Sequence, residues 1–419
     1  MNVTKIISAI GNNRSIYPLF VRDCLIENPA KVLIARKENL KESKVKANDA
    51  TRERFIDEYA TSAVWLGGIP LVELCADKII SKKGFKPDVN TKLFKEEAYQ
   101  GLKYNIEKFK SIAPDAIQDL EKINNNKDLY QKILSTKFVA AIAIPVAIMG
   151  FVLPKLNFAL TRKVKANRKN QNEIAKKNAS SKTNVATMQN FMSKNSLNFT
   201  GNLVSTIANL KTVDKMALTD AGLTVGRVTT SRNKDEAKFN AFRMIGSMII
   251  NYVTPKYIAK GLDKSADKLF KINVDLDPLI IGNKDLIKAI KEDNISLPKS
   301  NSEKDLFDFI DNNPKALFSK FASESKIVSY LENGVRDPRK YVDVKALENF
   351  KKQFENFIAG AKNSGNIESF VKKAQGIKSA NIIANIFISS TLLAFVLPKL
   401  QYLFNKLNTN SYSDPGLKE

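Results

Sequence analysis

Two long apolar runs stand out from the mixed polar and apolar pattern of this chain. Phe138 to Pro154 carries no charged side chain, and beyond Lys155 a further apolar patch covers Leu156 to Leu160. Ser379 to Pro398 is likewise uncharged, followed by Lys399 and then Leu400 to Phe404. A bilayer core requires about 20 predominantly apolar residues in a helix. Both runs meet that length if the terminal lysine snorkels, which predicts membrane-spanning helices at 138–160 and 379–404. Pro145, inside the first run, is better tolerated in a membrane helix than in a soluble one. Two shorter uncharged stretches, Tyr59 to Val72 and Met244 to Pro255, define weaker apolar segments at 59–81 and 240–260. Stretches of about 10–14 residues suit core, re-entrant or interfacial helices as well as spans, so their length leaves the choice open.

The apolar runs repeat. Phe-Val-Leu-Pro-Lys-Leu occurs at Phe151 to Leu156 and again at Phe395 to Leu400, so that Pro398 lies 244 residues after Pro154. The weaker segments align 185 residues apart, placing Pro70 on Pro255 and Phe85 on Phe270. The pattern predicts two tandem related units, 59–160 and 239–405. Each has a weak apolar segment, a polar excursion (82–137 and 265–378) and a strong apolar helix. A basic N-terminal helical segment (1–58), a basic linker (161–238) and a tail (406–419) complete the division. Pro70, Pro154, Pro255 and Pro398 hold equivalent places and mark expected helix kinks, because proline removes a backbone donor and clashes with the preceding turn. Two crossings per unit would make the repeats parallel rather than inverted.

The polar stretches also read as helical, giving a mainly α, integral membrane fold with helical excursions. Leu347, Phe350, Phe354, Phe357 and Ile358 follow a 3.6-residue period, and Ser302 to Asp305 resembles a capping box. Val185, Met188 and Met192 make another stripe, as do Leu203, Ile207 and Leu210. Asn333-Gly334 and Asn363-Ser364-Gly365 mark turns. Asn273 to Ile281 is the one stretch resembling a strand. Gly222 to Gly226, followed by Arg227, Thr229, Thr230 and Ser231, has the look of a phosphate loop. It lacks the Gly-Lys-Ser/Thr ending, and reads instead as a flexible turn.

Charge adds a topology. The 419 residues contain 67 Lys and Arg against 43 Asp and Glu, a net charge of +24. Arg162, Lys163, Lys165, Arg168, Lys169, Lys176 and Lys177 cluster just after the first strong helix, while the excursions are nearly balanced. The positive-inside rule then sets the linker in the cytoplasm and, if the weak segments span, both excursions across an inner cell membrane; if those segments only lie on the membrane, the excursions stay cytoplasmic too. Juxtamembrane cations are worth about 1 kcal/mol each at an anionic leaflet. Together with Lys155 and Lys399, this cluster is therefore expected to contact lipid headgroups or an acidic protein partner. Nucleic acid is the less favoured polyanion, because Val164 to Ser181 lacks the aromatic residues on which bases stack.

Histidine is absent, which excludes histidine-based acid–base and nucleophile chemistry and most zinc sites. Cys24 and Cys75 are far apart and form no metal or disulfide pattern; Cys75 reads as a small buried hydrophobe. No residue pattern calls for a cofactor or for catalysis. Glu73 and Arg243 lie near ends of the weak segments, where snorkelling suffices, and Asn251 is placed to bond between helices. Asp57 and Glu58 lie at helical spacing from Arg52 and Arg54, as in exposed i, i+4 pairs. The leading expectation is a non-enzymatic membrane anchor or scaffold. A small transporter or channel component is the alternative, and a soluble or peripheral helical polyanion-binding protein the third class.

Overall fold

The computed structural model describes residues 3–11, 17–177, 212–272 and 274–417. Among them the structure is mainly α-helical. No strand occurs, and one isolated bridge joins Tyr330 to Arg336. The strand-like stretch before Ile281 instead ends in a short helix, Pro278–Ile281, capped by the Asp277 carboxylate on the Leu279 N–H. Proline at the first helical position, with an Asp cap before it, outweighs the apolar alternation.

Besides shorter helices and those confined to the excursions, the helices in chain order are α1 (Val3–Gly11), α2 (Asn28–Leu40), α3 (Lys44–Ala63), α4 (Ile69–Lys82), α5 (Lys127–Ala147) and α6 (Leu153–Lys177). They continue as α7 (Thr212–Thr229), α8 (Lys234–Met248), α9 (Thr254–Phe270), α10 (Ile367–Thr391) and α11 (Leu397–Thr409). Four pairs are continuous rods, α3 with α4, α5 with α6, α8 with α9, and α10 with α11. Each pair is joined by a five-residue π-helical turn. Each π turn ends two residues before a proline: Pro70, Pro154, Pro255 or Pro398. The cause is steric. A proline ring collides with the carbonyl four residues back and offers no N–H to it, and a π turn widens the helix at that place.

Two of the rods, Lys127–Asn170 and Ile367–Thr409, are long and apolar enough to cross a membrane, and only 28% of the most apolar window in each is buried. The first rod begins at Lys127, so residues 127–137, expected in the polar excursion, belong to the long helix.

Six rods surround a common interior, each touching the next. α2 packs on α3, the α3–α4 rod on α5–α6, α5 on α7, α7 on α8, the α8–α9 rod on α10–α11, and the last returns to α2 and the π turn before it. Residues 212–229, expected within a linker, are thus a full member of the bundle. The supposed turn at Gly222 to Gly226 is helical. These glycines exist for packing: a Cβ on Gly226 would lie 2.7 Å from the Gly150 Cα, and one on Gly222 3.0 Å from Val146. Small residues let helix backbones approach this closely.

Both excursions lie at the same end of the bundle, docked on each other. Asn105 Nδ2 donates to the Pro338 carbonyl at 2.9 Å, the Val342 N–H to Gln100 at 2.9 Å, and Arg339 meets Asp119 at 3.0 Å. Arg336, 1% exposed, bonds Asp311 at 2.6 Å between the rings of Phe109 and Phe307. The expected helical features are present. Ser302 caps Glu303–Asn312, and Leu347, Phe350, Phe354, Phe357 and Ile358 are buried along Val344–Lys362. Gly334 and Gly365 take left-handed turn conformations.

Candidate functional site

The interior of the bundle is charged. On α3, Glu53, Arg54, Asp57, Glu58 and Thr61 recur at i, i+3/i+4 spacing and form one face. That face points inward, while Phe55 on the opposite side is exposed. Arg243 of α8 crosses the interior to meet Glu58 at 2.9 Å and Asp57 at 3.2 Å. Arg227 of α7 also donates to Asp57, and reaches Thr61 at 2.7 Å and the Met149 carbonyl at 3.0 Å. Arg54 joins Glu58 at 3.3 Å and Asp414 at 3.7 Å, and Lys31 of α2 joins Glu58 at 3.5 Å and Glu27 at 3.1 Å. Arg227, Arg243 and Arg54 are each less than a tenth exposed. One ion-pair chain therefore ties α2, α3, α7 and α8 together.

The proline-linked turn helps to build this site. Pro154 cannot donate to the carbonyl of Gly150, which accepts instead from Thr230 Oγ1 at 3.2 Å, next to the Met149 carbonyl that receives Arg227. Backbone groups released by the π turn become ligands for α7.

Along the bundle axis the interior is layered. At the end away from the excursions, Arg232 grips Glu53 through two bonds of 2.9 Å and Glu236 at 2.7 Å, beside Asp414 and Pro415. The ion-pair chain follows. An apolar plug of Trp65, Ile69, Met149, Met216 and Leu223, flanked by Tyr252, closes the next level, and Tyr252 donates to Asp220 there. Towards the excursions a cavity of about 220 Å³ lies among Glu73, Lys137, Lys215 and Thr91.

Outside, the same rods present apolar side chains. Phe151, Val152, Leu156 and Leu160 are exposed on one long rod, Phe387, Phe395, Leu400 and Leu403 on the other, and Leu71, Leu74, Ile245 and Ile249 on the rods between.

Several residues take other places than their sequence context implied. Arg243 does not snorkel from a helix end but points into the bundle, because Asp57 and Glu58 stand opposite it. Those two carboxylates are buried partners of arginines from other helices, not exposed pairs; the Arg54–Glu58 pair exists, but inside. Glu73 pairs with Lys215 at 3.4 Å. Cys75 is exposed on the outer face, and Cys24 is half-buried. Asn251 Oδ1 is buried and finds no partner among the described residues.

Of the expected headgroup contacts, Lys155, Arg162, Lys163, Lys169 and Lys399 are exposed. Lys165 reaches the Leu417 carbonyl at 3.4 Å, and Arg168 forms a two-pronged pair with Asp49 at 2.8 and 3.1 Å. Lys176 and Lys177 end α6, with side chains outside those described. The stripes at Val185 to Met192 and Leu203 to Leu210 also lie outside the described residues. No cluster of metal-ligating residues occurs among the described residues.

No family model matches this chain, and no curated protein or solved structure shows significant similarity to it.

Proposed function

We propose that this chain is an integral membrane protein of two related parallel units, and that its charged interior is a closed passage for an ionic solute. One observation carries the reading: charge faces in and apolar surface faces out. Burying a large apolar side chain stabilises by about 1.5–3 kcal/mol, and removing each ion from water costs several kcal/mol. A helical bundle that forgoes the first and bears the second is stable where its outer surface meets lipid. Ionisable groups inside such bundles mark ion pathways and relays.

The pairing of the rods supports the repeat. The π turns at Val64–Gly68 and Ile249–Val253 lie 185 residues apart, and those at Ile148–Val152 and Leu392–Val396 lie 244 apart, the same offsets that align the prolines. Asn157 bonds the Glu53 carbonyl on the neighbouring rod at 2.9 Å, and Gln401, 244 residues later, bonds the Phe239 carbonyl at 3.1 Å. In this reading the basic end, with Arg162, Lys163 and Lys169, faces the cytoplasm and anionic lipid, and the docked excursions lie across an inner membrane.

Ion pairs that cross the interior tie the helices together, but an anchor can be held by apolar packing alone, so we place transport ahead of a scaffold. After reconstitution into liposomes, the protein is expected to produce solute-dependent transient currents for at least one inorganic or organic ion. A current-free protein that still resists carbonate extraction would return the scaffold to first place. Release by carbonate would overturn membrane integration itself.

A further inference from the structure

We infer that the passage binds an oxyanion, a carboxylate or a phosphate, at Arg54, Arg227 and Arg243, and that Asp57 occupies the ligand's place in the closed form. The inference rests on the transport reading and names the chemistry of its solute. At the end of the bundle away from the excursions, a cavity of about 50 Å³ is lined by the guanidinium groups of Arg54, Arg227, Arg232 and Arg243 and by the carboxylates of Glu53, Asp57, Glu236 and Asp414, each paired with one of those arginines. That volume holds a few waters and no organic solute, so the form seen is closed. Planar guanidinium forks match oxyanions.

The internal partner is itself an oxyanion. Asp57 receives Arg227 on one oxygen and Arg243 on the other, from two different helices. Arg243, 7% exposed, retains a spare donor, because its buried Nε has no hydrogen-bond partner among the described residues. A free carboxylate or phosphate offers at least as many acceptor oxygens as Asp57 and lacks its tether to α3. Ligand exchange at this point would remove the Asp57 bonds that join α3 to α7 and α8, leaving Arg243–Glu58 and Arg227–Thr61 as the remaining ties there.

The test is equilibrium binding to purified protein in neutral maltoside detergent without added lipid. Thermal unfolding and calorimetry are read with sodium phosphate, sulfate and succinate against sodium chloride at matched ionic strength. The expected result is stabilisation by at least one oxyanion and not by chloride. Asp57→Asn, which removes the internal competitor, should tighten oxyanion binding by about tenfold or more, the equivalent of about 1.4 kcal/mol. Arg243→Lys, which retains charge but loses the fork, should weaken it by a similar factor.

Helix content and monodispersity establish that each variant is folded; if neither folds, the wild-type comparison with chloride decides. Equal response to chloride and to every oxyanion would overturn the inference, as would a folded Asp57→Asn protein that binds no more tightly. Current without oxyanion binding would leave transport standing and remove this site. Binding without current would do the reverse.

Discussion

Single residues show how close the packing is. Gly226 and Gly150 meet backbone to backbone, so Gly226→Ala is expected to destabilise by about 1–3 kcal/mol, the usual cost of overpacking. Gly261, in α9 with nothing within 4 Å of its missing Cβ, provides the control. Gly261→Ala should be neutral or stabilise by about 0.4–1 kcal/mol. Thermal unfolding in detergent separates the two; equal losses would contradict the close crossing. Arg336 is expected to be costlier. Its removal leaves Asp311 buried, and breaking a buried pair costs about 3–5 kcal/mol. Lys108 still reaches Asp311 at 2.7 Å, which sets Arg336→Ala at the lower end.

Glu42, in the turn between α2 and α3, is a titration switch for the C-terminal residues. Partial burial works against its carboxylate, but bonds from Ser411, Lys46 and Ser413 outweigh it and hold the pKa at about 2. A carboxylate whose pKa falls on folding stabilises above its unfolded pKa, about 4.3 in model peptides. That contribution disappears as pH falls through about 2. Glu42→Gln should therefore be less stable than wild type at neutral pH, with the gap closing between about pH 4 and pH 2. Hydrogen exchange of residues 411–413 across that range provides the measurement; a gap independent of pH would remove Glu42 from this role.

At the scale of elements, the rods were legible and their partners were not. Proline positions, uncharged runs and the repeated hexapeptide indicate four long helices from sequence. That α7 packs along α5, both running the same way, follows from contacts such as Gly222 against Val146. Residues 212–229 read as part of a linker because Gly222 and Gly226 suggest a flexible turn and no long uncharged run covers them. Cysteines replacing Val146 and Gly222, in a background lacking Cys24 and Cys75, are expected to form a disulfide under mild oxidation. Failure to cross-link in a folded protein would argue against this neighbour order. The charged face of α3 lies inside, where its sequence spacing suggests an exposed one. An amphipathic helix states that its two sides differ, not which side meets solvent. The i, i+4 pair of Arg54 and Glu58 looks the same on a wet surface and inside a bundle.

For the whole molecule, the docking of both excursions at one end has a direct topological consequence if the bundle spans a membrane as proposed. Exposed Lys110 and Lys320 lie in the two docked excursions, and exposed Asn170 lies at the other end of the bundle. Changed singly to cysteine, Lys110 and Lys320 should label from one side of the membrane and Asn170 from the other. Labelling of Lys110 and Lys320 from opposite sides would break the parallel model.

Local chemistry determined the helices, the prolines that widen them and the two apolar rods, because each depends on residues close together in the chain. The charged interior was decided only by tertiary structure. Arg227, Arg243 and Asp57 come from three helices up to 186 residues apart, and charge in sequence carries no sign of being inside or out. In the proposed membrane setting, that sign comes from the lipid around the bundle. With apolar side chains exposed on every rod, the polar faces have nowhere to go but inward, where each ion must find its opposite.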